Sequence, residues 1–281
     1  MMFFCLTAWM MATALAPLQP FQPFQEVPEY VSPSGRKFYG SPDARGVIAE
    51  AQARLAADPD NMELLMELGL TYGSLKLYRQ AIATYSRGIE QWPNSPPLYR
   101  HRGHRYISVR DFSKARTDLE KASQLEPKSF DISYHLALTY YLALDFATAV
   151  TAYQKSLDLA TNDDDRIAAS YWLYLSFRHL DRDEEAQAVL EPIRPAMRVE
   201  RMVAYFKLLA FYKGRLEENA LIDPETASTL ELATYGHGLA SQYLFNGEEA
   251  KARKLLQKIV EGPYWPAFGY IAAESELQRA E

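Results

Sequence analysis

Cysteine is nearly missing from these 281 residues: Cys5 is the only one, and it lies in an apolar N-terminal run. The rest of the chain therefore has no thiol for a disulfide, a thiolate metal site or a nucleophile, which suits an oxidising compartment. Runs of Lys or Arg are also lacking and the net charge is −6, so the electrostatic footprint of a nucleic-acid binder is absent. There is no Gly-rich phosphate loop, no Gly-x-Ser-x-Gly elbow and no His-Glu-x-x-His pair. Gly236-His237-Gly238 sits inside a helical pattern, where its glycines permit close helix contact. These absences argue against an enzyme, and no cofactor is expected. What is present, 48% hydrophobic and 23% mixed charged residues, suffices for a substantial folded core.

Residues 1–16 form an almost wholly apolar run that ends in the small-x-small patterns Ala12-Thr13-Ala14 and Ala14-Leu15-Ala16. They read as an export signal or a short anchor, since the run falls below the roughly 20 residues that span a bilayer. Cys5 lacks the preceding small residues of a lipoprotein signal. Residues 17–42 carry prolines at 17, 20, 23, 28, 33 and 42 and read as an extended Pro-rich linker, with Phe21 and Phe24 available to dock into a groove.

The strongest positive signal is a period. Gly69, Tyr72, Ala81 and Pro93 recur as Gly103, Tyr106, Ala115 and Pro127, each at an offset of 34. A helix capped by Asp43 and stopped by Asp58-Pro59-Asp60 precedes two full units, Met62 to Ser95 and Pro96 to Ser129. A third unit starts at Phe130. A fourth is delayed, the step from Ala149 to Ala186 being 37. Periodicity fails over 196–232 and returns with Leu239, Tyr243, Gly247 and Ala252, before a final helix from about Ala267 to Arg279. Large residues at recurring places fill the space between helix pairs, and small ones mark close crossings.

About 34 residues is the length of one tetratricopeptide repeat, and over roughly residues 43–266 the chain resembles that family. The expected fold is all-α: a tetratricopeptide-repeat solenoid of stacked antiparallel helix pairs over 43–281, with its clearest repeats in 62–195, a divergent part in 196–232, and a degenerate repeat and capping helix in 233–281. Within that family the chain resembles the bacterial new-lipoprotein-I type of envelope repeat protein. That likeness rests on Phe211-Tyr212-Lys213-Gly214, on Leu239-x-x-x-Tyr243-Leu244-x-x-Gly247 and on Phe268-Gly269-Tyr270. It implies a periplasmic, dimerising adaptor that brings a processing protease to a peptidoglycan hydrolase. The alternative is a structural subunit of a secretion or wall-synthesis complex. Membrane contact is expected only through an uncleaved N-terminal segment, and 196–232 is a candidate dimer contact.

In such repeats the first helix of each pair lines the concave face. The expected groove is Arg100, His104 and Ile107, then Tyr134, Leu138 and Tyr141, then Tyr171, Leu175 and Arg178, of which Arg100, Tyr134, Tyr141 and Arg178 are the candidate anchors. The cluster that grips a chaperone's terminal carboxylate is not matched, since Met66, Leu70, His101, Asp131 and His135 stand at its positions. His101 and His104 have chelating spacing, but no further ligand completes a set, so no metal is expected. Asp163-Asp164-Asp165 reads as helix capping.

Overall fold

A computed structural model describes residues 27–224 and 226–279 of the chain. The expected signal 1–16 and the docking residues Phe21 and Phe24 lie outside them.

The helices fall where the period puts them. Helix α1 (Val47–Ala57) is followed by four antiparallel pairs: α2 (Met62–Ser74) with α3 (Tyr78–Gln91), α4 (Pro96–Ser108) with α5 (Phe112–Leu125), α6 (Phe130–Leu142) with α7 (Phe146–Leu159), and α8 (Asp163–Arg178) with α9 (Asp183–Leu190). Each begins at a polar cap where the sequence supplies one. Asn61 accepts from the backbone of Glu63 and Leu64, Asp111 from Lys114, Asp145 from Thr148 and Asn162 from Asp165, so orphan N–H groups of the first turn are satisfied. The turn inside each pair carries one residue in the left-handed region, namely Lys76, Arg110, Leu144 and Asp181. These recur at the same offsets as the repeats, so the turn geometry repeats even where its side chain does not.

From α1 to α9 each helix packs chiefly on its neighbours in sequence, as in a helical solenoid. At the crossings the small residues allow close approach. A Cβ on Gly69 would stand 2.3 Å from the Tyr85 ring.

Past α9 the regular alternation is lost. Helix α10 (Val203–Tyr212), a 3-10 turn (Glu218–Ala220) and the short α11 (Thr229–Glu231) lead through a π-helical turn (Leu232–Gly236) into α12 (His237–Phe245), α13 (Glu249–Glu261) and α14 (Phe268–Arg279). The acidic stretch does more than cap. Asn162 caps α8, while the Asp164 carboxylate accepts from the backbone N–H of Glu200, Arg201 and Met202, and Asp163 accepts from Arg198, fastening the divergent segment.

Two expectations are corrected. The described part of the linker, from residue 27 on, is not extended spacer but a hairpin of β1 (Tyr30–Val31) and β2 (Lys37–Phe38), with Tyr30 paired to Phe38. The Tyr30 and Phe38 rings pack on Trp265, so apolar burial overrides the proline-biased backbone. The final helix stands where expected, but it is no exposed cap: Gly269 through Glu276, with the carboxylates Glu274 and Glu276, are all buried, and Gln278 and Arg279 are exposed.

Candidate functional site: an inner face filled from one end

Helices α2, α4, α6 and α8 present equivalent positions to the inner face: Met66, Arg100, Tyr134 and Tyr171; Leu70, His104, Leu138 and Leu175; Gly73, Ile107, Tyr141 and Arg178. Exposure along the second series decides how much of that face is open. Leu70 is 50% exposed and His104 partly buried, whereas Leu138 and Leu175 are both at 0%. The inner face is thus filled from its C-terminal end and open at repeat one.

The filling comes from the chain itself. Tyr171 stacks on Tyr205 of α10 at 4.4 Å, and its hydroxyl lies 3.3 Å from Nδ1 of His237 on α12. The Tyr134 hydroxyl accepts from Trp172 Nε1 at 3.0 Å, and Tyr141 meets Trp172 edge-on. Helix α14 packs on α6 and reaches residues of α4 and the C-terminal end of α8. Phe268 packs on His104 and His135, the Ser275 hydroxyl donates to the Leu142 carbonyl at 2.9 Å, and Glu276 lies 3.1 Å from His179. Tyr134, Leu138, Tyr141, Tyr171 and Leu175 are therefore core residues, not groove anchors. The reason is apolar burial by elements whose own sequence does not repeat.

Charged groups hold this filling in place. The Arg110 guanidinium donates through Nε to Glu274 Oε2 (2.8 Å) and through Nη2 to the Trp265 carbonyl (2.9 Å), and it lies 4.0 Å from the centre of the Tyr30 ring. Tyr30 donates its hydroxyl to the same Glu274 oxygen. Burial alone would raise the Glu276 carboxyl, but the hydrogen bond and charge of His179, with Arg279 nearby, hold it below the usual range. The hairpin ties both ends of the array together. Glu29 accepts from the backbone N–H of Arg79 at the start of α3, and Arg36 donates to the last carbonyls of α13, Val260 and Glu261, and to that of Gly262 just beyond.

Arg100 pairs with Asp131, donating at 2.7 Å to Oδ1, and Arg178 pairs with Asp183 at 2.8 Å while lying over the Phe245 ring. Both expected cations are thus engaged within the chain. Arg178 lines a cavity of about 650 Å³ with His179, Asp183, Arg253, Glu276 and Arg279. Its charges largely neutralise one another. His101 stacks on Tyr85, and His104 and His135 lie ring to ring at 4.7 Å. Burial, then the charges of Arg100 and Arg105, push His101 down to about 4, and burial drives His104 and His135 in the same direction. Among the described residues no group of three or more His, Cys, Asp or Glu is arranged to hold a metal ion.

Arg105 was not among the expected site residues. Its Nη1 lies 3.0 Å from where a Cβ on Gly73 would stand, and its guanidinium rests 5.0 Å from the centre of the Tyr78 ring. Burial and the like charge of Arg100 hold it below the usual guanidinium range, opposed only by Tyr78 and Tyr85. No carboxylate among the described residues pairs with it. The sequence signal was the coincidence of glycine at 73 with arginine at 105, legible only once the two helices are laid side by side.

Tetratricopeptide-repeat family profiles match residues 63–94 and 102–164, so the chain carries tetratricopeptide repeats. Human (Homo sapiens) tetratricopeptide repeat protein 13 is 28% identical over 173 residues, covering 59% of this chain and 19% of that protein; the chain spans about a fifth of that relative's length. Among solved structures, a tetratricopeptide repeat protein from Parabacteroides merdae aligns over 82% of this chain and 91% of its own, with TM-score 0.51 at 15% identity, a likeness of fold. YrrB, described as a tetratricopeptide repeat protein with an unusual peptide-binding site, aligns over 81% of this chain and 97% of its own, with TM-score 0.46 at 15% identity.

Proposed function

We propose that this chain is a non-catalytic scaffold or adaptor of the bacterial cell envelope that presents client proteins to a processing protease or a peptidoglycan hydrolase. Proteins built of tetratricopeptide repeats mediate protein–protein interaction, which supplies the class. The observation that carries the reading is Leu70, an apolar side chain left half in water at an inner-face position whose counterparts in the third and fourth repeats are fully buried. Export rests on the apolar run 1–16 and the single cysteine. Affinity capture from envelope extracts with the intact chain, in parallel with Leu70→Asp, tests it. Recovery of a protease or wall hydrolase that is lost with Leu70→Asp supports the reading, and recovery of neither enzyme class overturns it.

One observation favours the second reading, a structural subunit of a secretion or wall-synthesis complex. Tyr39 and Tyr264 are exposed, as are Val27 and Val31 on and beside the hairpin, so exposed apolar side chains also stand outside the hollow. Homodimerisation is part of this proposal, and sedimentation of the intact chain across a concentration series reads it directly.

A further inference from the structure

The cavity of about 650 Å³ beside Arg178 belongs to no single repeat. Its walls come from the turn between α8 and α9, from the turn between α12 and α13, and from the last turn of α14. It exists only because the C-terminal helices fold back on the fourth repeat. Its size falls among those of small-ligand sites, roughly 300–1,000 Å³.

The charges around it divide into two sets. Arg178 is paired with Asp183 at 2.8 Å, and Glu276 is held by His179 at 3.1 Å and by Arg279 at 3.3 Å. Asp181, Glu249 and Arg253 line the same space, and none of their side chains makes a hydrogen bond or ion pair with a described residue. Glu249 and Arg253 are one turn apart on α13, a spacing at which opposite charges ordinarily pair, yet here they stand apart. One cation and two anions are thus left without partners around a single hollow. Leu244, Leu256 and Leu277 give that hollow an apolar wall.

We infer that this cavity binds a free basic amino acid of the lysine or ornithine kind, with its α-carboxylate on Arg253, its two ammonium groups on Asp181 and Glu249, and its alkyl stem against the leucines. Such a molecule answers all three unpaired groups at once. A neutral zwitterion leaves one carboxylate unmatched, and an acidic amino acid brings a second anion to a single free guanidinium. The bound molecule also joins the fourth repeat to α13 and α14, which favours the folded-back arrangement. This site goes beyond the scaffold reading and does not depend on it.

Calorimetric titration of the intact chain with L-lysine, L-ornithine, cadaverine, L-norleucine and L-glutamate tests it, with the rise in melting temperature as a second readout. Cadaverine lacks the carboxylate and norleucine the second ammonium. The variants are Arg253→Gln, Glu249→Gln and Asp181→Asn. All three positions are exposed, and asparagine accepts the left-handed backbone at 181, so the fold is retained, as thermal melts of the free variants verify. Lysine and ornithine are expected to bind, with the other three compounds about tenfold weaker or more. Each variant is expected to lower lysine affinity about tenfold, while Arg253→Gln leaves that of cadaverine unchanged. Neither heat nor a melting shift with lysine overturns the inference. Equal binding of cadaverine, norleucine or glutamate overturns it too, as does lysine affinity unmoved by the three variants. None of these results touches the adaptor reading, which the envelope capture decides.

Discussion

Gly269 shows how tightly single residues govern this packing. A Cβ there would stand 1.8 Å from the Ala233 carbonyl oxygen, a backbone atom that cannot turn aside, so helix α14 approaches the π-helical turn only because the side chain is absent. Gly269→Ala is expected to cost about 3 kcal/mol, read as a fall in melting temperature of roughly 6–12 °C. Leu138, expected from sequence to line a groove, behaves as core: Leu138→Ala is expected to lose about 2–5 kcal/mol in denaturant unfolding. The buried histidines set the pH response. His237 is held at about 4 by burial, below its ordinary value of 6.5, so the unfolded chain takes up its proton first. Its contribution is complete above about pH 6.5 and is lost as pH falls toward 4. From pH 7 to 5 this group alone removes about 2 kcal/mol, and His101, His104 and His135 act in the same direction. Unfolding free energies across that range check it, with His237→Gln expected to flatten the slope. Glu276, held below its ordinary 4.5, adds a further loss below that pH.

Single elements explain why the inner face closes. The array of α2 to α9 was legible because each repeat buries its large residues at fixed offsets and several of its helices begin at polar caps that the sequence states outright. Helix α14 was legible as a helix but not as a buried one. Glu274 and Glu276 look solvent-facing until Arg110 and His179, far away in sequence, are seen to pair with them. The hairpin was hidden for a similar reason: two-residue strands in a proline-bearing stretch carry little pattern, and Tyr30 and Phe38 are fixed by Trp265 from the opposite end of the chain. Arg110→Ala is expected to cost about 3–5 kcal/mol, because it strands the Glu274 carboxylate against buried surroundings. Converting both residues to leucine is expected to recover most of that loss in chemical denaturation, whereas a purely structural role for either side chain alone predicts additive losses.

At the scale of the molecule, a solenoid normally leaves its hollow free for another polypeptide, and here the chain fills most of its own. The expected groove residues Tyr134, Tyr141 and Tyr171 are consumed in that closure, while the hairpin joins the first repeat to α13 and α14. What remains for a partner is the inner face of repeat one, where Leu70 is half exposed, and the exposed edge around Tyr39 and Tyr264. The periodicity could not reveal this, because a repeat signal reports which helices stack and says nothing of a later segment folding back across them. Native-state hydrogen exchange of the intact chain tests the closure most directly. The amides of residues 270–276 in α14 are expected to exchange as slowly as those of α6 and α8, close to the global unfolding limit. Exchange of those amides at the rate of a solvent-exposed terminal helix, with α6 and α8 still protected, would contradict it.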